Sequence, residues 1–143
     1  MARWRETDLG MGHERQALWQ RSTTSPFAPE GGRGALQFAE FETEMRSAGR
    51  AVLAERLRQP QVRGLIAGIF ESSPYLSALI TQDPARFERL LGAVPEAECD
   101  RLRDVLEADM AQAKDNAAAK KILRTYKNEI ALLTALADLG GVW

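Results

Sequence analysis

The sequence is short of most of what catalysis and membrane insertion draw on. Among 143 residues there is one histidine, His13, and one cysteine, Cys99. A single imidazole excludes a histidine-based triad or a paired-histidine metal site built within the chain. A single thiol excludes an intramolecular disulfide, and a reducing compartment is the simplest fit. No uncharged run approaches the roughly 20 residues needed to cross a bilayer. The N-terminus follows Arg3 and Arg5 at once with Glu6 and Asp8, so the apolar stretch of a secretory signal is missing. An excess of one charge is missing too: the net charge is −1, with no basic block and no interleaving of basic and aromatic residues, which argues against a nucleic-acid binder. No segment alternates at period two for long enough to make a strand. The expectation is an all-α, cytoplasmic protein that engages neither nucleic acid nor membrane.

What is present is helical periodicity behind a punctuated leader. Residues 1–34 hold seven glycines and prolines and the run Ser22-Thr23-Thr24-Ser25. Too few apolar groups cluster there to offset the entropy of ordering it. A largely disordered leader is expected, with a turn or two of helix over 15–21 and with Trp4 and Trp19 as side chains that dock on the body. The helical domain is then 35–143. Phe38, Phe41, Met45, Ala48, Val52 and Leu53 recur at threes and fours, predicting one long helix to about Leu57. A short apolar helix follows over 61–70. Ser73-Pro74 and Asp83-Pro84 each place a capping residue before a proline, a start signal. The first opens a helix with Tyr75, Leu76, Leu79 and Ile80 inward, and the second one with Phe87, Leu90 and Leu91 inward, ending at Gly92. Pro95 opens another, carrying Cys99, Leu102, Val105, Leu106 and Met110. It joins the last helix by a hinge or a short loop near 114–117.

That last helix organises the chain. Ile122, Tyr126, Ile130, Leu133 and Ala137 stack on one face, and Leu132, Leu136 and Leu139 form a second apolar row. The helix is therefore expected to run from a solvated, basic start to a buried end, and to be central in an irregular bundle of about six helices. Gly140 and Gly141 stop it. The remaining Val142 and Trp143 are apolar and look like a surface awaiting a neighbour.

The search for chemistry returns little. Cys99 occupies a core position and reads as a structural thiol. Gly31-Gly32-Arg33-Gly34 lacks the preceding strand and the Lys-Ser ending of a phosphate loop, so it reads as a linker. The carboxylates are dispersed among arginines, as on a solvated face. Asp138, in the last turn of the final helix, is either solvated or paired with an arginine that fixes helix docking. No catalytic, cofactor-binding or metal-binding residue is assigned.

Two stretches carry a resemblance. Ile69-Phe70-Glu71-Ser72-Ser73-Pro74-Tyr75-Leu76, followed by Asp83-Pro84, resembles the FG-x-SPYL segment near the start of the bacterial bifunctional glutamine synthetase adenylyltransferase/adenylyl-removing enzymes. Leu123-Arg124, Lys127, Glu129, Leu133 and Leu136-Ala137-Asp138-Leu139-Gly140-Gly141-Val142-Trp143 is similar to that family's LR-x-x-K/R-x-E … A-DL-x-G helix. The resemblance covers 52–143. Glu71 departs from the usual glycine, which implies a rebuilt turn or an extended preceding helix.

The resemblance implies the N-terminal helical part of an enzyme that transfers AMP from ATP to a tyrosine of glutamine synthetase and removes it by phosphorolysis. It implies ATP and Mg²⁺ as cofactors of the full-length enzyme, held by a Gly-Ser and Asp-x-Asp set on a downstream catalytic domain. Neither motif occurs in these 143 residues, so a fragment inactive on its own is expected. The downstream domain, glutamine synthetase and the PII signalling protein are the implied partners. The alternative is a stand-alone helical protein-interaction module.

Overall fold

The structure, a computed structural model, describes residues 15–143. Trp4 and His13 lie outside the described residues. Among the described residues there are eight helices and no strand: α1 (Leu18–Arg21), α2 (Arg33–Ser47), α3 (Ala51–Leu57), α4 (Pro60–Ser72), α5 (Pro74–Gln82), α6 (Pro84–Gly92), α7 (Pro95–Ala111) and α8 (Asn116–Leu139). The all-α bundle expected from periodicity is what forms.

Proline does much of the punctuation. It occupies the first turn of α4, α5, α6 and α7, where its missing N–H removes no intrahelical bond. The caps read from sequence are made: Leu76 N–H donates to Ser73 Oγ at 3.2 Å, and Arg86 N–H to the Asp83 carboxylate at 3.1 Å. Asp115 caps α8 by accepting from Ala118 N–H at 2.7 Å, so α7 and α8 are joined by a short loop and not by a hinge within one helix.

The single long helix expected to reach Leu57 is instead two. Gly49 sits at φ +77°; its N–H donates to the Arg46 carbonyl and Arg50 N–H to the Met45 carbonyl. That is a Schellman ending, which needs a left-handed residue and finds glycine. The break resets the helical phase: Leu53 and Leu57 become fully buried, while Val52 is 57% exposed rather than inward.

The core forms where α2 lies along α4 and where α5, which packs on α4, and α6 meet α8. Phe41 sets its ring edge-on to Phe70, with centroids 5.8 Å apart, and tilts against Phe87 at 6.1 Å. α4 is the most enclosed helix, burying Val62, Leu65, Ile66, Ile69 and Phe70. α8 enters with Leu132, Leu133, Leu136 and Ala137, its first half remaining outside. Further side chains expected inward are not: Tyr75, Val105 and Met110 are exposed. Tyr75 follows Pro74 in the first turn of α5, where its ring lies over the surface and its hydroxyl donates to Asn128. Val105 and Met110 lie beyond Leu102, the last buried residue of α7, where no third element covers the helix pair.

The leader expected to be disordered over 1–34 is ordered where it is described. Leu18 is fully buried, and its N–H donates to the Ala93 carbonyl at 2.8 Å. Residues 25–29 then cross α4 at Gly64 and Gly68, which are four apart and so share a face. A β-carbon at Gly68 would come within 2.4 Å of the Pro26 carbonyl oxygen. Gly68→Ala is therefore expected to lift this strap, costing about 1–3 kcal/mol. Hydrogen exchange should then quicken at the Thr23 and Thr24 amides while α8 stays protected.

The four residues 31–34 are not a free linker either. Gly31 turns the chain at φ +71°, and Gly34 packs so closely on α4 that a β-carbon would meet the Ala67 carbonyl oxygen at 2.3 Å. Glu71 completes this crossing. α4 runs on through Ser72, and the Glu71 carboxylate accepts from Gly34 N–H at 2.6 Å. It caps the start of α2, whose own N-cap, Gly32, has no side chain to offer. The Arg33 guanidinium donates in turn to the Glu71 carbonyl at 2.9 Å.

Candidate functional site

The densest polar construction is the corner where the strap, the start of α7 and the end of α8 meet. α8 ends in a second Schellman turn: Gly141 stands at φ +70°, with its N–H on the Asp138 carbonyl and Val142 N–H on the Ala137 carbonyl. The carbonyls left over are taken by the strap. Thr23 and Thr24 N–H donate to the Gly140 carbonyl at 2.7 and 3.1 Å, and the Thr24 hydroxyl to the Leu139 carbonyl at 2.8 Å. The segment that looked least able to fold thus satisfies the acceptors that a helix end cannot satisfy alone.

Glu96, in the first turn of α7, takes both forks of the Arg21 guanidinium at 2.7 and 2.9 Å and the Trp143 indole N–H at 2.9 Å. The apolar chain end expected to stand open is largely engaged: Leu139 and Val142 pack on the core, and Trp143 is half exposed. The Arg21 hydrogen bonds hold the Glu96 carboxyl at about 2, well below its ordinary 4.5, against the opposing effect of partial burial. Because the folded value is the lower one, this contribution to stability is present above about pH 4.5 and lost as pH falls toward about 2. The Tm difference between wild type and Glu96→Gln should therefore shrink between pH 7 and pH 2. A difference that stays constant would contradict this linkage.

A second knot ties α6, α7 and α8 together. Glu98 is nearly buried and accepts from Arg89 and, through both oxygens, from Arg101 at 2.6 and 3.0 Å. Arg89 reaches on to Glu129 of α8 at 2.7 Å. The Arg101 guanidinium is driven up in pKa, chiefly by its hydrogen bonds to Glu98. Glu98→Ala would take the carboxylate partner from Arg101 and leave Arg89 with Glu129 alone; both guanidinium groups are partly solvated, which reduces the penalty of breaking a buried pair to about 2 kcal/mol. Chemical denaturation should show it as a lower midpoint at unchanged slope.

None of this is nucleophile, general base or cofactor cradle. Cys99 is partly buried, and burial raises its thiol pKa, so it is not poised as a thiolate. Asp138 is exposed, the solvated alternative. A hollow of about 320 Å³ under the strap is lined by Phe38, Glu42 and Arg63, but Arg63 is engaged with Glu42 at 3.5 Å and lies over the Phe38 ring. Among the described residues no three His, Cys, Asp or Glu side chains converge in a group able to hold a metal ion. The described residues do not fit a seat for Mg²⁺ and its phosphates. No helix among the described residues is long and apolar enough to cross a membrane.

Fold and corner together define a helical scaffold whose polar side chains fasten helices to one another. The chain is homologous to one segment of the bifunctional glutamine synthetase adenylyltransferase/adenylyl-removing enzymes. To the enzyme of that name from Bradyrhizobium sp. strain BTAi1 it is 38% identical over 132 residues, covering 90% of this chain and 13% of the relative. To that of Rhodopseudomonas palustris strain HaA2 it is 43% identical over 111 residues, covering 78% of this chain and 11% of the relative. The Caulobacter vibrioides enzyme matches at 40% over 80 residues, or 56% of this chain and 8% of the relative. The chain thus spans about 13% of the length of the first of these relatives and less of the others. No protein-family model matches the chain, and no solved structure matches it.

Proposed function

We propose that this chain is the N-terminal helical segment of a glutamine synthetase adenylyltransferase/adenylyl-removing enzyme and is inactive by itself. The observation that carries the reading is the 38% identity to a relative of that name across 90% of the chain. On this reading the longer enzyme attaches AMP to glutamine synthetase and removes it. A catalytic domain beyond this segment handles ATP and Mg²⁺, and the PII signalling protein regulates the whole. The contribution of these residues is mechanical. The crossing at Gly34, the Glu98 knot and the strapped end of α8 fix the bundle as one piece, and a fixed support is what a positioned phosphoryl-transfer site needs from its surroundings.

The test is an adenylylation and deadenylylation assay on glutamine synthetase, comparing this chain with a version extended through the next ~300 residues, since phosphoryl chemistry needs a metal-holding carboxylate set. Activity in the extended protein alone is the expected result. Activity in neither protein, with both folded, would overturn the reading.

A further inference from the structure

The arm formed by α7 and α8 is built differently from the rest of the molecule. From Arg103 through the connecting loop to Ala131 no residue is buried. The two helices share a half-buried seam of Leu106, Ile122 and Tyr126, but nothing covers the outer flanks, where Leu123 is 47% exposed and Met110 36%. A helix pair with one seam and apolar residues left on its flanks lacks the further layer that completes a bundle.

Apart from Arg103 and Glu129, which are paired with Asp100 and Arg89, the charges on the helices of this arm are sorted, acidic on α7 and basic on α8. Asp104 and Glu107 stand three apart on α7; Lys120, Arg124 and Lys127 follow at four and three on α8, so each set shares a face. Among the described residues none of these five forms an ion pair, whereas Arg46, Arg50, Arg58, Arg63 and Arg89 all have carboxylate partners elsewhere.

We propose that this arm is a self-association surface on which a second copy of the chain docks to complete a four-helix bundle. A partner of single charge sign would meet a like-charged helix on one side of the arm. A second copy related by a two-fold axis running along the arm, with the arms parallel, lays acidic α7 over basic α8 twice, and the interface is self-complementary as two-fold symmetry requires. The exposed Leu123 and Met110 then supply apolar contact beside the charges. This inference is independent of the enzymatic reading.

Sedimentation equilibrium of the full chain tests it. The expected result is a dimer whose dissociation constant rises by about tenfold or more from low to high salt, because the contacts are screened. The variant Lys120→Glu/Arg124→Glu/Lys127→Glu makes both helices acidic, and Asp104→Lys/Glu107→Lys makes both basic. Each should be monomeric with wild-type helicity, and an equimolar mixture of the two should form a heterodimer. A wild-type chain that stays monomeric up to ~1 mM, the range of weak association, would overturn the proposal. A dimer that neither charge reversal weakens would overturn it as well.

Discussion

Leu136→Asp should leave the chain without a cooperative unfolding transition. Leu136 is fully buried in the half of α8 that enters the core. Replacing it removes about 2–3 kcal/mol of apolar burial and places a carboxylate in the hydrophobic core, which costs several kcal/mol more. The sum is of the order of the whole stability of a small domain, about 5–15 kcal/mol. Leu136→Ala creates only a cavity, at about 2–5 kcal/mol, and should still melt cooperatively at a lower temperature. Circular dichroism against temperature separates the two. A Leu136→Asp protein with wild-type helicity and a sharp transition would mean that the end of α8 is peripheral.

Gly34→Val should be nearly as damaging, for a different reason. The first β-carbon already meets the Ala67 carbonyl oxygen at 2.3 Å and the Glu71 amide nitrogen at 2.7 Å. Both are backbone atoms and neither can rotate away, so α2 must move off α4. That separates Phe41 from Phe70 and breaks the Gly34–Glu71 hydrogen bond. Overpacking of this kind costs about 1–3 kcal/mol or more, and a lost charge-assisted hydrogen bond about 1.5–3 kcal/mol. The Tm should fall by about ten degrees, at about 4 °C for each kcal/mol in a domain near 150 residues. Gly31→Ala, at a turn with open space around it, should cost only the strain of a left-handed residue, about 1 kcal/mol. Equal losses at the two positions would show that the α2–α4 crossing is looser than described.

The difference between these two glycines also shows which parts of the fold were legible in the sequence. Helix starts were, because Ser73-Pro74, Asp83-Pro84 and Pro95 each encode a local event: a cap, or a proline in the first turn. Core faces were legible wherever a helix packs along its whole length, as with Phe87, Leu90 and Leu91. The Gly49 break was not, since a lone glycine inside a helical pattern does not say whether its left-handed conformation is used. The ordered strap was not legible either. It is held by the Thr23 and Thr24 amides on the Gly140 carbonyl and by backbone passing over Gly64 and Gly68, and neither interaction leaves a periodicity in the chain.

The candidate site divides in the same way. The residue types needed for catalysis could be counted directly, and their scarcity was visible. The corner at Glu96 joins Arg21 to residues 75 positions further on, a pairing that no local pattern announces. Glu71 carried a signal of another kind: its departure from the glycine of the resembled motif implied a rebuilt turn or an extended helix, the second of which forms, and its carboxylate caps a helix from the far side of a crossing.

As the helical segment proposed above, this bundle should substitute for the matching segment of a longer relative. The direct measurement replaces the homologous segment of the Bradyrhizobium sp. strain BTAi1 enzyme, to which the chain is 38% identical, with this chain. Both AMP attachment to and removal from glutamine synthetase are then assayed, with a second hybrid carrying Gly34→Val alongside. The first hybrid is expected to retain both activities, and the second to lose them together with its thermal stability. A first hybrid that folds with native helicity and stability yet carries out neither reaction would contradict it.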